Sequence, residues 1–599
     1  MGNKRNNIKI NYLSRDYSSI KEDLIAFARR YYPDTFQDFS TAGFGALMLD
    51  TVAYVGDILS FYLDYQANES FLSTAIEYEN ILKHGQTVGY KHQGARASYG
   101  NITLYAIIPA NASATGPDTD YMPIIKAGST FAAANNSLFT LLEDVNLADS
   151  ANEIVTANTT TTGEPENFAV KANGVVVSGE DRVKKFTVGD FVKFRTLRLP
   201  GNNITEVLSI ADLEGYQYYE VDHLSQNTIY VPISNNDTTT NVQAPNILKP
   251  VIVPRRYIVQ NDRNQTVITF GYGSEAEISF QSLASSRDVV LNIHSKNYIT
   301  DTALDPSVLI KTDQFGVGPS NTTVYVTYRT NTARNSNATS NSVTTPVNIQ
   351  SEFANRTQLL GSKMAGVRSS IECTNEEPIQ GDVRAPGIDD LKYLIQSSYS
   401  SQNRAVTAED YKGMVLMMPS KFGGVERCSI IQDVDSNLRN INIYTISRSP
   451  LGFYEPTNSI VKENIKTWLS SKRMINDSVD ILDAKIVNLG IKFELISEMG
   501  VNKTQIFSDA VSRLTAFLVN GQDVGEDFSI TDLYTVLNNV PGVIDTVSIK
   551  VDQIAHVGYS SIVFNVKTNT SPDGRYIKAP VNVVFEIKYP SADIQGTIV

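Results

Sequence analysis

One stretch constrains this chain more than any other. From Phe44 to Gln66 the sequence has no proline and is built almost entirely of apolar and small residues. Its periodicity predicts a long helix over about 44–66. Asp50, Asp57 and Asp64 recur every seven residues and make one acidic stripe on a helix of about 3.6 residues per turn. Leu47, Thr51, Tyr54, Ile58, Phe61 and Tyr65 keep alternating spacings of four and three, and Met48, Val52, Val55, Leu59 and Tyr62 do the same beside them. Ala53, Gly56 and Ser60 form a small-residue seam where another backbone can come close. A helix that is apolar or small around most of its circumference is usually buried on several sides. Two readings follow: a core helix within the chain, or a helix that completes an intermolecular bundle, with two heptad-spaced seams for two neighbours. The aspartates do not form a metal site, because seven residues rise about 10.5 Å. A membrane span needs about 20 apolar residues. Gly43–Leu63 is interrupted by Asp50 and Asp57, so no span is expected.

The surroundings divide by texture. The first ninety or so residues read as helical, with Ser19 and Glu22 as a capping box and a third helix from about Ser70 to Lys83. From Tyr99 short alternating runs between Gly, Pro, Asn and Asp predict a β-rich middle, with exposed loops at Thr156–Pro165 and Thr330–Thr345. Beyond it, helices are expected at Ile388–Ser398, Thr407–Met418, Ser459–Leu469 and Ile506–Leu518, with a further one beginning at Ser529. Strands are expected at Val479–Leu482, Lys485–Leu495 and Val543–Val551. A closing hairpin is expected between Ile562–Lys567 and Val581–Ile587, around Pro572-Asp573-Gly574. The expected fold class is multidomain α+β: a helical N-terminal region, a β-rich middle and mixed α/β C-terminal domains. The boundaries are 1–95, 96–330, a loop-rich connection at 331–385, a mixed α/β domain at 386–478, a small α+β domain at 479–552, and the hairpin extension at 553–599.

The chemistry that this sequence excludes is as informative. Its 64 acidic and 51 basic residues give a net charge of −13, which disfavours a non-specific nucleic-acid binder. Two cysteines, Cys373 and Cys428, exclude a disulfide framework and fit folding in a reducing cytoplasm. The start, Met1–Ile8, has no apolar run of a signal peptide. None of the five histidines lies three or four residues from another, and no nucleophile elbow or phosphate loop is present. Phe270-Gly-Tyr-Gly273 reads as a hairpin turn between Val267–Phe270 and Ile278–Phe280. Glu376-Glu377 and Asp389-Asp390 are available to a glycosidase, but neighbours on a helix point about 100° apart and do not flank a substrate. No catalytic, cofactor-binding or metal residues are assigned, and no enzyme is expected.

Several motifs together resemble the N-terminus of phage baseplate wedge proteins. They are Ser14-Arg-Asp-Tyr17, Asp38-Phe-Ser40, the run from Asp50 through Ala53, Tyr54, Gly56, Asp57, Phe61 and Tyr62 to Asp64, then Ala67-Asn68-Glu69-Ser-Phe-Leu72 and Gly89-Tyr90. Arg404-Ala405-Val406-Thr407-Ala-Glu-Asp410-Tyr411, followed by Met418-Pro419, is similar to the baseplate J-like signature, as is Leu533–Val540 running into Pro541-Gly542-Val543. The length and helical start are most similar to the larger wedge subunit of T-even-like contractile-tailed phages. The resemblance implies a structural protein of the virion tail baseplate, made and assembled in the host cytoplasm and without cofactor. It implies that two copies per wedge clamp a partner wedge protein through a helical bundle, and that C-terminal domains join six wedges into a ring around the hub. That ring relays host attachment to sheath contraction. Expected partners are a second copy of the chain, other wedge subunits and neighbouring wedges, with sheath-initiator and hub proteins as further candidates; no nucleic acid and no membrane span are expected. Leu47, Tyr54, Val55, Ile58, Phe61, Tyr62 and Tyr65 are the expected bundle contacts. Asp50, Asp57, Asp64, Asn68, Glu69, Arg404–Thr407, Asp410, Tyr411 and Gly542 are expected to hold the motifs in shape. The alternative class is a carbohydrate-binding tail adhesin, which 30 tyrosines and the β-rich middle would suit.

Overall fold

The computed structural model describes residues 16–31, 43–113, 115–159, 161, 163–201, 203–234, 246–262, 265–274, 315–331, 336–433, 440–518 and 521–599. They fall into two compact units, Met1–His92 with Pro386–Tyr399, and Gln93–Ala385 with Ser400–Val599. The fold is multidomain α+β, with a helical N-terminus, a β-rich middle and a mixed α/β C-terminal region.

The first unit holds helices α1 (Tyr17–Tyr31), α2 (Phe44–Glu69) and α3 (Tyr78–Thr87), with most of the helix Ile388–Ser401. The cap of α1 differs from the expected Ser19 box: Asp16 Oδ1 accepts from the Ser19 N–H at 3.0 Å, so the carboxylate three residues earlier does the capping. The third helix begins at Tyr78 rather than near Ser70, because the chain first turns through 70–77. The helix Ile388–Ser401 lies about 300 residues away in sequence, yet its Leu391 and Ile395 are buried here. A Cβ added to Gly85 would stand 2.9 Å from Ile395 Cδ1, so only glycine lets the two helices approach this closely.

In the second unit two seven-stranded sheets form the middle. In one, Tyr99–Pro109 pairs antiparallel along its whole length with Pro165–Ser178, Tyr99 opposite Val177 through Pro109 opposite Asn167. Their inward residues, including Ile102, Leu104, Val170 and Val176, meet Phe131, Phe139 and Leu141 in one core. The stretch expected as a loop at 156–165 is strand up to Thr159, paired back on Pro165–Ser178. The other sheet runs in the order Glu180–Val188, Thr322–Thr330, Ile204–Asp212, Gln217–Glu220, Arg256–Asn261, Gln265–Phe270, Thr196–Pro200, around Leu199, Ile210, Tyr257, Phe270 and Val324. Ile278–Phe280, half of the expected glycine hairpin, lies outside the described residues; Gly273 bridges Val317 instead.

Farther on, helices Ala408–Leu416 and Ser459–Ser470 pack with the four-stranded sheet that contains Arg427–Gln432, Asn440–Arg448 and Ser478–Asp483, and Ala97, Tyr99 and Val177 join that core. The last sheet centres on Lys485–Ser497, with Val543–Gln553 antiparallel on one side and Val583–Glu586 and Ile594–Ile598 parallel on the other. Helices Lys503–Leu518 and Ile530–Asn538 cover it, the second capped as expected by Ser529, which accepts from the Asp532 N–H. The closing hairpin is not found. The 562–567 stretch ends in a short helix, Val566–Asn569, and Tyr576–Ile577 pairs with Phe528–Ser529. The Pro572-Asp573-Gly574 signal does make a turn, with the Gly574 N–H donating to Ser571 O at 2.8 Å. Apolar burial beside Lys485–Ser497 outweighs that local signal: Val583, Val584 and Phe585 are all buried there.

Candidate interaction helix

Of the 26 residues of α2, only Ala46, Ala53 and Glu69 are buried. A helix this apolar inside a single chain would be a core helix, and α2 is not one. Among the seven expected bundle contacts, Leu47 is 62% exposed, Tyr54 58%, Val55 48%, Phe61 51%, Tyr62 60% and Tyr65 37%, with Ile58 half-buried. Two of these rings have local partners: Phe61 and Tyr65 stack at 6.4 Å, and the Tyr65 hydroxyl donates to Glu77 Oε1 at 3.2 Å. By length and composition α2 is also apolar enough to cross a membrane. Its aspartates, each costly in hydrocarbon, argue against that role.

Helix α1 covers the small-residue side. A Cβ on Gly56 would stand 3.2 Å from Ile20 Cδ1, so the glycine lets α1 lie close. Lys21 Nζ lies 2.6 Å from Asp50 Oδ1. Hydrogen bonding from Lys21, then from Tyr17, holds the Asp50 carboxyl below its ordinary range. Neither Tyr17 nor Lys21 is signalled by the periodicity of α2 itself.

The end of α2 is organised by Glu69. Its Oε1 accepts the Ile76 N–H at 2.8 Å, Oε2 accepts Asn80 Nδ2 at 3.0 Å, and the Glu77 N–H reaches both oxygens at 3.3 and 3.4 Å. Its carbonyl is 2.8 Å from His84 Nε2, and the preceding Asn68 carbonyl accepts Thr74 Oγ1 at 2.6 Å. Burial alone, the largest influence, would raise the Glu69 pKa, but the hydrogen bonds from Asn80, Ile76 and Glu77 together leave it lowered. Asn68-Glu69 thus ties α2 to α3. Gly89, with φ of +87°, and buried Tyr90 close the unit by a Tyr90 N–H bond to Gly85 O at 2.9 Å.

The second motif has an equally local physical content. Thr407 and Asp410 form a reciprocal capping box: Asp410 N–H to Thr407 Oγ1 at 3.2 Å and Thr407 N–H to Asp410 Oδ2 at 2.9 Å. Asp410 Oδ2 also takes the Val406 N–H, and the buried Ala405 donates its N–H to Lys472 O at 2.9 Å. The Arg404 N–H closes the preceding turn on Ser401 O, while its side chain faces solvent. Tyr411, buried, donates to Asp477 Oδ2 at 2.7 Å. Gly542 has φ of +85°, and a Cβ there would stand 3.2 Å from Ile506 Cδ1. These residues hold corners.

The carboxylate pairs weighed as glycosidase candidates have local places in the fold. Glu376 pairs with Lys171 at 2.7 Å, Glu377 accepts from Ser459 at the start of a helix, and Asp389-Asp390 occupy a first helical turn. Among the described residues no group of three or more His, Cys, Asp or Glu is placed to hold a metal ion.

Comparison with known proteins points to the same helices. Residues 16–87 match the family model of the bacteriophage baseplate protein, N-terminal domain. The match begins one residue before α1 and ends with α3. It supports a structural role in a phage tail baseplate, in association with other baseplate proteins. No curated protein matches the chain significantly. A search of solved structures finds the cryo-EM structure of the anti-feeding prophage (AFP) baseplate, 6-fold symmetrised, at 8% identity over 96% of this chain and 99% of that one. Its TM-score of 0.27 is too low to carry an argument.

Proposed function

We propose that this chain is a wedge subunit of a contractile phage tail baseplate, of the baseplate J-like kind. Two copies clamp a further wedge protein through a bundle built on α2. The C-terminal domains join wedges into a ring around the hub, and the ring relays host attachment to sheath contraction. The protein catalyses no reaction and is assembled in the host cytoplasm. One observation carries the reading: a helix inside the matched baseplate domain keeps two apolar seams exposed along its length. Burying such seams against partner helices is the usual source of bundle stability.

Co-expression with the proteins encoded beside it in the phage genome tests the proposal. Native mass spectrometry should find a complex holding two copies of this chain and one of a partner. A chain that stays monomeric beside all of them, and binds defined glycans on an array, would instead be the tail adhesin.

A further inference from the structure

The heptad register of α2 specifies what kind of helix covers one seam; this inference rests on the reading of α2 as a bundle helix. With Thr51, Ile58 and Tyr65 at a, and Leu47, Tyr54 and Phe61 at d, all three aspartates fall at g: Asp50, Asp57 and Asp64. Met48, Val55 and Tyr62 take the e positions on the opposite flank. In a two-helix contact a g residue faces e′ of a parallel neighbour or g′ of an antiparallel one.

The α2 helix of a second copy does not fit this seam. Antiparallel, it would set aspartate against aspartate; parallel, it would set each aspartate beside an apolar e residue. Phe44–Glu69 contains no Lys or Arg, so no register of α2 on α2 supplies a cation. At Asp50 a cation arrives from the other flank, on the small-residue side. Lys21 of α1 reaches Asp50 at 2.6 Å while the neighbouring Ile20 rests on Gly56. One heptad further on, no ion pair reaches Asp57 among the described residues, and the seam beside it, at Tyr54 and Phe61, is exposed.

We infer that the seam Leu47–Tyr65 is covered by a helix of a different protein, with an apolar a′/d′ stripe and Lys or Arg at the flanking position opposite Asp57. The all-apolar seam of Met48, Val52, Val55, Leu59 and Tyr62 carries no such charge requirement.

Two synthetic peptides of about four heptads test this, alike in a Leu/Ile seam but with Lys or Glu at every e and g position. Each is titrated by fluorescence anisotropy against the purified full chain. The Lys peptide should bind about tenfold tighter or better at low salt, and the advantage should shrink as salt screens the pairs. Asp57→Lys should reverse the preference, and Asp57→Asn should erase it, with helix content by circular dichroism unchanged in both. Equal affinity for the two peptides overturns the inference, as does a Lys preference untouched by either Asp57 variant. A chain that binds neither peptide and self-associates through Ile58 assigns the seam to a second copy, which also overturns it. The wedge reading is judged separately, by complex stoichiometry: it stands if wedges form without a Lys preference, and falls if the preference holds but no wedge forms.

Discussion

The Glu69 carboxylate accepts the Ile76 N–H at 2.8 Å across a seven-residue turn, and this bond fixes where α3 can begin. Replacing Glu69 by Ala leaves the Ile76 and Glu77 N–H groups and the Asn80 amide short of an acceptor, at a cost of about 1–3 kcal/mol. Hydrogen exchange should quicken across 76–82 in Glu69→Ala and less so in Glu69→Gln. The pH response has a definite sign. The folded Glu69 pKa lies below the unfolded value of about 4.3. Its stabilisation is therefore complete above that value and is lost as pH falls through the folded pKa. A corner that loosens on alkalinisation instead would contradict this.

Ile58→Asp should abolish wedge assembly while leaving the β-rich unit folded. Ile58 sits at the middle of the exposed seam, where a buried unpaired carboxylate costs several kcal/mol in the complex. In the isolated chain the position is only half-covered, so the penalty appears on assembly. Size-exclusion chromatography of co-expressed proteins reads this directly; wedges that form normally around Ile58→Asp would remove α2 from the interface.

Much of this was legible in the sequence because it is local. The heptad spacing of α2, the Ser529 cap and the alternation of Val543–Val551 each depend on neighbours within a few residues. What was missed is long-range or competitive. Nothing near Ile388 announces that this helix packs against Gly85. Ser19 with Glu22 carries the sequence signature of a cap, but Asp16, three residues earlier, is the acceptor in place. The closing hairpin failed because a good turn signal at Pro572-Asp573-Gly574 says nothing about which strands are free to pair. For α2, the periodicity describes its seams well but not what covers them: a helix of this texture calls for burial on several sides, and among the described residues the small-residue side under α1 is the one covered.

Arg329 holds the second middle sheet together through two carboxylates. Its Nε is 2.9 Å from Asp181 and its Nη1 is 2.6 Å from Glu206, with the arginine side chain almost fully buried. Desolvation raises the Glu206 pKa and Arg329 opposes it. Arg329→Met should cost about 3–5 kcal/mol, because it strands Glu206, and adding Glu206→Leu should restore most of the loss. A raised folded pKa means the charged form is penalised in the fold, so the Arg329→Met protein should gain stability as pH falls from neutral towards the ordinary carboxylate range. Exchange protection of Thr322–Thr330 is the measurement. A double variant no better than the single one would show that Arg329 acts by packing alone.

The C-terminal region should come apart at residue 485 and not at residue 400. The cluster around Val487, Ile491, Leu514, Leu533 and Phe585 draws only on residues beyond 485. By contrast, the core of 405–479 includes Ala97, Tyr99 and Val177. Asn458 Nδ2 donates to Tyr99 O at 2.6 Å and Asn337 Nδ2 to Arg448 O at 3.0 Å, so cutting near 400 would strand buried amides as well as apolar surface. A fragment of residues 485–599 should fold cooperatively, and one of residues 400–484 should not. The same fragment tests the ring. Val583–Glu586 pairs with Lys485–Ser497, and its Val584 is buried against Ile446, Tyr454 and Ala484, so it is already covered within the chain, whereas Ile544 and Val547 on Val543–Gln553 are 62% and 51% exposed. If the C-terminal domains join wedges, the 485–599 fragment should cross-link to itself at high concentration, and Ile544→Lys with Val547→Lys should prevent it without unfolding. A folded fragment that stays monomeric would move the ring contacts to the β-rich middle.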